Sequence, residues 1–204
     1  CLWSVSPAYA RYLDKKRENS KFLPGIKLPK TLHITSNLDE AVAMADVIVL
    51  AIPTRHLRSV LIRLKKLPYQ GKIFVSATKG IENKTCLRPS EVVYQVLGRS
   101  VRLVVLSGPS HAEEVARKIP TLMVAASKDS KAAEFVQEYF RDPQFRVYVQ
   151  SDVVGVELGG ALKNVIAIAA GVCDGLKFGD NTKAGLMTRG IYEMVRLGVK
   201  LGAN

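Results

Sequence analysis

The sequence is poor in cysteine, histidine and aromatic residues, and these shortages exclude several classes of protein. Its three cysteines stand at positions 1, 86 and 173, without a C-x-x-C pair. This spacing excludes a disulfide scaffold and a cysteine-based zinc site, and it favours the reducing cytoplasm as the compartment. The three histidines share no metal-ligand spacing, so no metal site is expected.

Acidic residues are scarce as well: 18 Asp and Glu stand against 30 Lys and Arg, which gives a net charge of +12. The basic residues are scattered, and only 7% of the residues are aromatic. Because base-stacking platforms need aromatic side chains, nucleic-acid binding is disfavoured, although a non-enzymatic basic module that binds nucleic acid stays an alternative. The charge favours a solvated surface that attracts anionic metabolites.

Long apolar runs are rare, and one of them, residues 153–173, reaches the length that a membrane span needs. Glu157, Lys163 and Asn164 lie inside this run, and each is costly in lipid. We therefore expect no membrane span. The run predicts a helix buried inside a soluble protein, whose polar groups need partners or a chemical role.

Short apolar runs that alternate with amphipathic stretches make up most of the sequence. Residues 46–52 are typical of a strand buried on both faces, and apolar residues at helical spacing follow over 55–67. The same alternation predicts strands over 1–3, 32–35, 72–76, 102–106, 121–126 and 145–149, and helices over 7–18, 37–44, 89–97 and 127–140.

The strand pattern stops after residue 152, and two long helices are predicted over 152–173 and 181–201. Strands that alternate with helices imply βαβ units and a mainly parallel sheet. The sequence therefore predicts an α/β fold in which residues 1–150 contain the sheet and residues 151–204 begin an all-helical domain.

Three loops follow predicted parallel strands at the edge where open α/β sheets bind ligands: residues 52–54, 76–80 and 107–114. Lys79 lies just past a strand end, and a merely solvated lysine is the alternative interpretation. Ser110 and Glu113 form an S-x-x-E capping box, which predicts a helix whose free N–H groups suit a phosphate. Simple capping by Ser110 is the alternative there.

Lys163 and Asn164 interrupt the long apolar helix. A buried ammonium loses hydration, which disposes it to exchange a proton near neutral pH, and Asn164 adds a donor and an acceptor beside it. Gly159 and Gly160, one turn earlier, let a ligand or another backbone approach closely. A structural ion pair between Lys163 and Glu157 is the alternative.

Six runs of the sequence carry a resemblance to a known family: SATKGIE, SGPSHAEE, GVELGGALKNVIAIAAGVCDGL, NTKAGLMTRG, FLPGIKLP and VLAIP. They are similar to runs in the NAD(P)-dependent glycerol-3-phosphate dehydrogenases of the bacterial type, and the resemblance covers essentially the whole chain. It implies a Rossmann-like dinucleotide-binding domain followed by a helical substrate domain. It also implies reversible oxidation of sn-glycerol 3-phosphate to dihydroxyacetone phosphate with NAD or NADP, a reaction that feeds glycerophospholipid synthesis.

The resemblance assigns roles to the candidate substrate residues. Lys163 would be the general acid and base for the C2 oxygen, and Lys79 would contact both substrate and dinucleotide. Gly108 and Ser110 would contact the substrate. Asn164 would hold its phosphate end or a hydroxyl group.

The resemblance also implies where the dinucleotide binds. Ala112 and Lys79 would contact it, and Pro53 would line the nicotinamide side. Trp3 and Ser4, at the end of the first strand of this chain, would lie near its ribose. Neither an acidic residue nor an arginine follows that strand directly, so the slight preference for NADP rests on the resemblance to bacterial members.

The family pattern is incomplete at both ends of the sequence. The chain begins at Cys1 without Met, and the family's G-x-G-x-x-G/A turn is absent, as are its later Asp and its S/G-R-N phosphate-binding motif. We therefore expect a fragment that is inactive or impaired as an enzyme. A homodimer is implied by analogy alone, and a related 6-phosphogluconate or hydroxyacid dehydrogenase is the alternative among enzymes.

Overall fold

The computed structural model describes residues 1–204 as nine strands and eight helices. The strands are β1 (Leu2–Trp3), β2 (Glu18–Asn19), β3 (Leu23–Lys27), β4 (Ile34–Thr35), β5 (Val47–Leu50), β6 (Ile73–Ser76), β7 (Arg102–Ser107), β8 (Thr121–Ala126) and β9 (Phe145–Gln150). The helices are α1 (Pro7–Lys16), α2 (Leu38–Ala43), α3 (Thr54–Leu64), α4 (Pro89–Leu97), α5 (Ala112–Ala116), α6 (Ser130–Phe140), α7 (Val153–Gly175) and α8 (Gly179–Lys200).

A five-stranded sheet in the order β5-β6-β7-β8-β9 forms the centre of the fold. The first three of these strands run parallel, and so do β8 and β9, whereas β7 and β8 pair antiparallel. Two further pairs form outside this sheet, the parallel β1–β4 pair and the antiparallel β2–β3 hairpin. The predicted α/β fold with a mainly parallel sheet is confirmed.

Two apolar layers cover the faces of the sheet, because successive side chains of a strand point to opposite faces. On β6, Phe74 packs in the layer that α3 and α4 complete, whereas Val75 packs in the layer beneath α6. Both side chains are fully buried, as are Leu57 and Leu61 on α3. The loop that follows β6 therefore starts from a strand held firmly on both faces.

The structure differs from the prediction at two places in this part of the chain. β5 lies at the edge of the sheet, and Val49 is 46% exposed, so residues 46–52 are not buried on both faces. An apolar run predicts a strand but not its place in the order of a sheet. The β2–β3 hairpin was not predicted, and the ion pair between Glu18 and Lys27 at 2.6 Å helps to hold it.

The long helix α7 is buried only at its beginning. Val153 and Val156 pack against Val105 and Ala126 of the sheet, whereas further along the helix Ile168 is 70% exposed. The prediction of a helix buried along its length is therefore wrong: the second half of α7 lies against α8, where Ile166 approaches Gly190, but large apolar side chains on it stay exposed.

Length and composition alone would let α7 cross a membrane, and it is the single helix for which this holds. One such helix is weak evidence, since core helices of soluble proteins pass the same criteria. The buried, hydrogen-bonded Glu157 in its second turn ties α7 to the rest of the protein.

Candidate functional site

A cavity of about 360 Å³ lies where the carboxyl ends of the parallel strands meet α7. The loop after β6, the loop after β7 and one side of α7 form most of its wall. The lining residues are Lys79, Ser107, Gly108, Pro109, Ser110, His111, Val124, Gly155, Val156, Gly159, Gly160 and Lys163. The wall contains two lysines and a histidine but no acidic residue, so the cavity suits an anionic ligand.

Two threonines fix the loop that carries Lys79. The hydroxyl of Thr78 is within hydrogen-bond distance of the Leu50 and Ile52 carbonyls, at 3.0 Å each. The Thr54 hydroxyl donates to the backbone carbonyl of Lys79 at 2.7 Å. The loops after β5 and β6 are thereby joined, and Lys79 has a defined position at the edge of the sheet.

The Lys79 side chain reaches across to the loop after β7. Its Nζ donates to the Gly108 carbonyl at 2.9 Å and to the Ser110 hydroxyl at 3.3 Å. Burial lowers the pKa of the Lys79 amine, and the charge of Lys163 lowers that pKa further. Lys79 is therefore part of a constructed site rather than a lysine that only contacts solvent.

The capping box predicted for Ser110 and Glu113 is not formed. His111 is the residue that precedes α5, and no side chain caps that helix. The Ser110 hydroxyl instead contacts Lys79 and the Gly108 carbonyl. The nearby ammonium competes with the helix N–H groups for this hydroxyl. His111 lines the cavity as well.

α7 presents Gly159, Gly160 and Lys163 to the cavity, because residues three and four apart lie on one face of a helix. The Lys163 Nζ donates to the Asn164 Oδ1 at 3.0 Å, and both residues are exposed. The predicted burial of Lys163 is therefore wrong, because α7 has left the sheet at this point. Lys163 nonetheless lines the same cavity as Lys79, whereas Asn164 does not line it.

Close contacts with neighbouring elements explain two of the site's glycines. A Cβ atom at Gly108 would lie 2.6 Å from the Leu122 carbonyl oxygen, and one at Gly160 would lie 2.7 Å from the Ser107 hydroxyl. At Gly159 a Cβ atom would meet no atom within 4 Å. Gly160 thus lets α7 pack closely on β7, while Gly159 leaves space open beside the lysine.

Glu157 does not pair with Lys163, which was the structural alternative. Its side chain is 2% exposed and contacts the Arg88 guanidinium at 2.7 Å. It also accepts hydrogen bonds from the Ser90 backbone N–H at 2.8 Å and the Ser90 hydroxyl at 2.6 Å. Burial raises the pKa of Glu157 even though these contacts lower it.

The residues that were predicted to contact the dinucleotide but not the substrate lie outside the cavity wall. Pro53 is exposed between β5 and α3, and Ala112 is exposed at the start of α5. The indole N–H of Trp3 donates to the Ser36 carbonyl at 3.1 Å, so the fold itself uses this group. Ser4 is half-buried just after β1.

Three residues of the cavity wall lie outside the loops and helix positions that were singled out from the sequence: Val124, Gly155 and Val156. Helical spacing counted back from Lys163 would have found Val156. Val124 belongs to the antiparallel strand β8, and no sequence pattern places it beside this loop.

Comparison with known proteins agrees with the motif resemblance. A family model described as the N-terminus of NAD-dependent glycerol-3-phosphate dehydrogenase matches residues 1–133. A model described as the C-terminus of the same family matches residues 152–204. The chain belongs to this family. The resemblance and the Rossmann-like fold are confirmed, and the division at residue 150 stays a prediction, since residues 134–151 lie between the two matches.

Curated relatives and a solved structure agree with this assignment. Glycerol-3-phosphate dehydrogenases [NAD(P)+] from Thermoanaerobacter sp. and Chlorobium luteolum are 52% and 47% identical over 203 and 205 residues. A crystal structure of glycerol-3-phosphate dehydrogenase from Coxiella burnetii is 36% identical, with a TM-score of 0.92. Each matches all of this chain, which spans 61%, 62% and 62% of their respective lengths.

Proposed function

We propose that this chain holds the substrate in an oxidoreductase that interconverts sn-glycerol 3-phosphate and dihydroxyacetone phosphate with NAD or NADP. The observation that carries the proposal is the cavity that Lys79 and Lys163, from separate elements, both line, with no acidic residue in its wall. Its volume of about 360 Å³ is at the small end of ligand pockets, which suits a three-carbon phosphate. The names of the curated relatives support the same substrate pair.

The reaction at C2 removes a proton from the hydroxyl oxygen and a hydride from the carbon. Lys163 takes the proton as general base in its neutral amine form, and the ammonium that results returns it in the reverse direction. Lys79 donates a hydrogen bond to the same oxygen and stabilises the charge that develops there. Hydrogen bonds from Lys79 to Gly108 and Ser110 support a shared substrate contact.

Asn164 orients Lys163 in this proposal. The 3.0 Å contact between its Oδ1 and the Lys163 Nζ supports that role. Its amide N–H₂ group remains available to hold the phosphate end or a hydroxyl of the substrate.

The nicotinamide dinucleotide would lie along the neighbouring edge of the sheet. Pro53 and Ala51 expose apolar surface there, and the 2.7 Å hydrogen bond from Thr54 joins this loop to Lys79. This surface fits a flat nicotinamide ring, which Pro53 and Ala112 would hold beside the cavity. When bound, the nicotinamide supplies the hydride acceptor.

Trp3 and Ser4 would lie near the adenosine ribose, at the end of β1. The half-buried position of Ser4 supports a hydroxyl contact to either ribose form. A slight preference for NADP over NAD rests on the bacterial type of the family.

The remaining assignments follow from this function. Residues 1–150 form the dinucleotide-binding domain and residues 151–204 begin the substrate domain. The protein is cytoplasmic, supplies glycerophospholipid synthesis, and has no membrane span and no nucleic-acid partner. A homodimer rests on analogy with the family alone.

The experiment follows reduction of NAD and NADP with sn-glycerol 3-phosphate or 6-phosphogluconate, and binding of both phosphates is measured in parallel. Because we expect a fragment that is inactive or impaired as an enzyme, binding is the main readout. We expect binding of glycerol 3-phosphate only, and any turnover that the chain retains should use that substrate. Lys163→Ala should lower turnover by about 10²–10⁴-fold, the contribution of a positioned general base. Preference for 6-phosphogluconate would assign the chain to the related dehydrogenases. Steeply salt-dependent DNA binding without dinucleotide binding would favour the basic module.

A further inference from the structure

The buried carboxylate of Glu157 has no part in the proposed chemistry, yet it joins the two elements that carry the site's lysines. It lies on α7, six residues before Lys163, or about 9 Å along the helix axis. Its partners, Arg88 and Ser90, lie at the end of the segment that begins with Lys79 and at the start of α4.

We propose that Glu157 is a positioning residue, which holds α7 at the rotation and height that bring Lys163 to the same ligand as Lys79. The proposal rests on the proposed function only for the identity of that ligand. Its geometric part, that Glu157 sets the separation of the two amines, stands on the contacts alone.

The Glu157 contact is directional in a way that apolar packing is not. Both carboxylate oxygens are used, one by the Ser90 N–H and the other by the Ser90 hydroxyl and Arg88 Nη1. The side chain is 2% exposed, so water does not compete for these bonds. The N-terminus of a nine-residue helix, α4, adds its positive dipole end to the attraction.

The other contacts of α7 with the sheet do not fix its rotation as well. Val153 and Val156 pack in a small apolar cluster, and Gly160 approaches Ser107 closely without a side chain of its own. Glu157 lies beside the cavity-facing side of α7, so its anchoring resists rotation about the helix axis. Loss of this anchor would turn Lys163 away from the cavity.

The segment between Lys79 and Arg88 is itself held in place. Glu82 in this segment forms two hydrogen bonds with Arg58 of α3, at 2.9 and 2.7 Å. Lys79 at its beginning and Arg88 at its end therefore have little freedom to follow a moving α7. A shift of the helix changes the distance between the amines directly.

The test compares three variants of this chain with the wild type: Glu157→Gln, Ser90→Ala and Asp129→Ala. Gln keeps an acceptor for the Ser90 N–H but loses the charge that faces Arg88. Asp129→Ala is the stability control, because Asp129 caps α6 and pairs with Arg102, away from α7. Competitive acylation of the lysines across pH, read by mass spectrometry, gives the pKa of Lys79, and calorimetry gives the affinity for sn-glycerol 3-phosphate.

We expect Glu157→Gln to raise the pKa of Lys79 towards its ordinary value, because Lys163 and the covering helix move away, and to weaken glycerol 3-phosphate binding by about tenfold. Ser90→Ala should change the Lys79 pKa and the glycerol 3-phosphate affinity in the same direction but by less. If Glu157→Gln does not fold, the Ser90→Ala variant tests the positioning role of Glu157. Asp129→Ala should lower only the melting temperature.

A Glu157→Gln or Ser90→Ala variant that melts lower, yet keeps the wild-type Lys79 titration, would overturn the proposal and leave Glu157 a purely structural group. If the wild-type chain fails to bind glycerol 3-phosphate, the proposed function fails instead, and the Lys79 titrations still decide the role of Glu157.

Discussion

Gly159 and Gly160 are neighbours on α7, but a methyl group would meet different surroundings at each. A Cβ atom at Gly160 would lie 2.7 Å from the Ser107 hydroxyl, whereas one at Gly159 would meet no atom within 4 Å. Replacement by alanine gains about 0.5–1 kcal/mol of helix propensity at either position. Because this gain cancels when the two variants are compared, their difference measures the packing of α7 on β7.

We expect Gly160→Ala to be less stable than Gly159→Ala by about 0.5–1.5 kcal/mol, because the Ser107 hydroxyl must leave its present rotamer to make room for the methyl group. For a chain of this size, each kcal/mol corresponds to about 2–4 °C in Tm. Thermal unfolding followed by circular dichroism measures the difference. Equal melting temperatures would refute the close packing of α7 against Ser107.

The same pair of variants tests the cavity. The methyl group of Gly159→Ala enters open space at the cavity wall, so it should weaken sn-glycerol 3-phosphate binding while the fold is kept. Wild-type affinity in this variant would show that the ligand does not occupy the space beside Gly159.

Three further predictions concern stability. The Arg58 guanidinium lowers the pKa of Glu82 from 4.5 to about 2, so the stabilisation from this pair is present above pH 4.5 and is lost as the pH falls towards 2. Glu82→Gln should therefore make the free energy of unfolding depend less on pH in that window. An unchanged pH profile would contradict this. Tyr69→Phe removes the buried hydrogen bond to the Leu97 carbonyl and should cost about 1 kcal/mol in urea unfolding, whereas a neutral effect would mean that the hydroxyl is solvated. Leu57→Ala, at a fully buried position, should cost about 2–5 kcal/mol in the same assay, and a loss below 1 kcal/mol would contradict the packing of α3 on the sheet.

Local pattern predicted most of the elements, because their apolar spacing agrees with their structure. The strand over 121–126 and the helix over 89–97 match β8 and α4 to the residue. The burial of β5 and of α7 was predicted wrongly, since burial depends on which elements pack alongside. An apolar segment such as α7 shows the pattern of a core helix even where only one neighbour covers it.

The site was predictable where chain topology alone brings residues together. Lys79 and Ser110 follow neighbouring parallel strands, and the structure places both at the cavity. The contact between Glu157 of α7 and Arg88, the residue before α4, joins positions 69 residues apart, and no periodicity encodes it. The capping box failed for a similar reason, because the ammonium that takes the Ser110 hydroxyl comes from a distant loop.

The most direct test of the account is a double-mutant cycle on sn-glycerol 3-phosphate affinity, with Lys79→Met, Lys163→Met and the double variant measured by calorimetry. If both amines hold one phosphorylated ligand, each single change should weaken binding by about tenfold or more. The two changes should then be coupled by about 0.5–3 kcal/mol, as for groups that share a partner. Wild-type affinity in either single variant, or strict additivity of the two changes, would contradict a ligand shared between the two lysines.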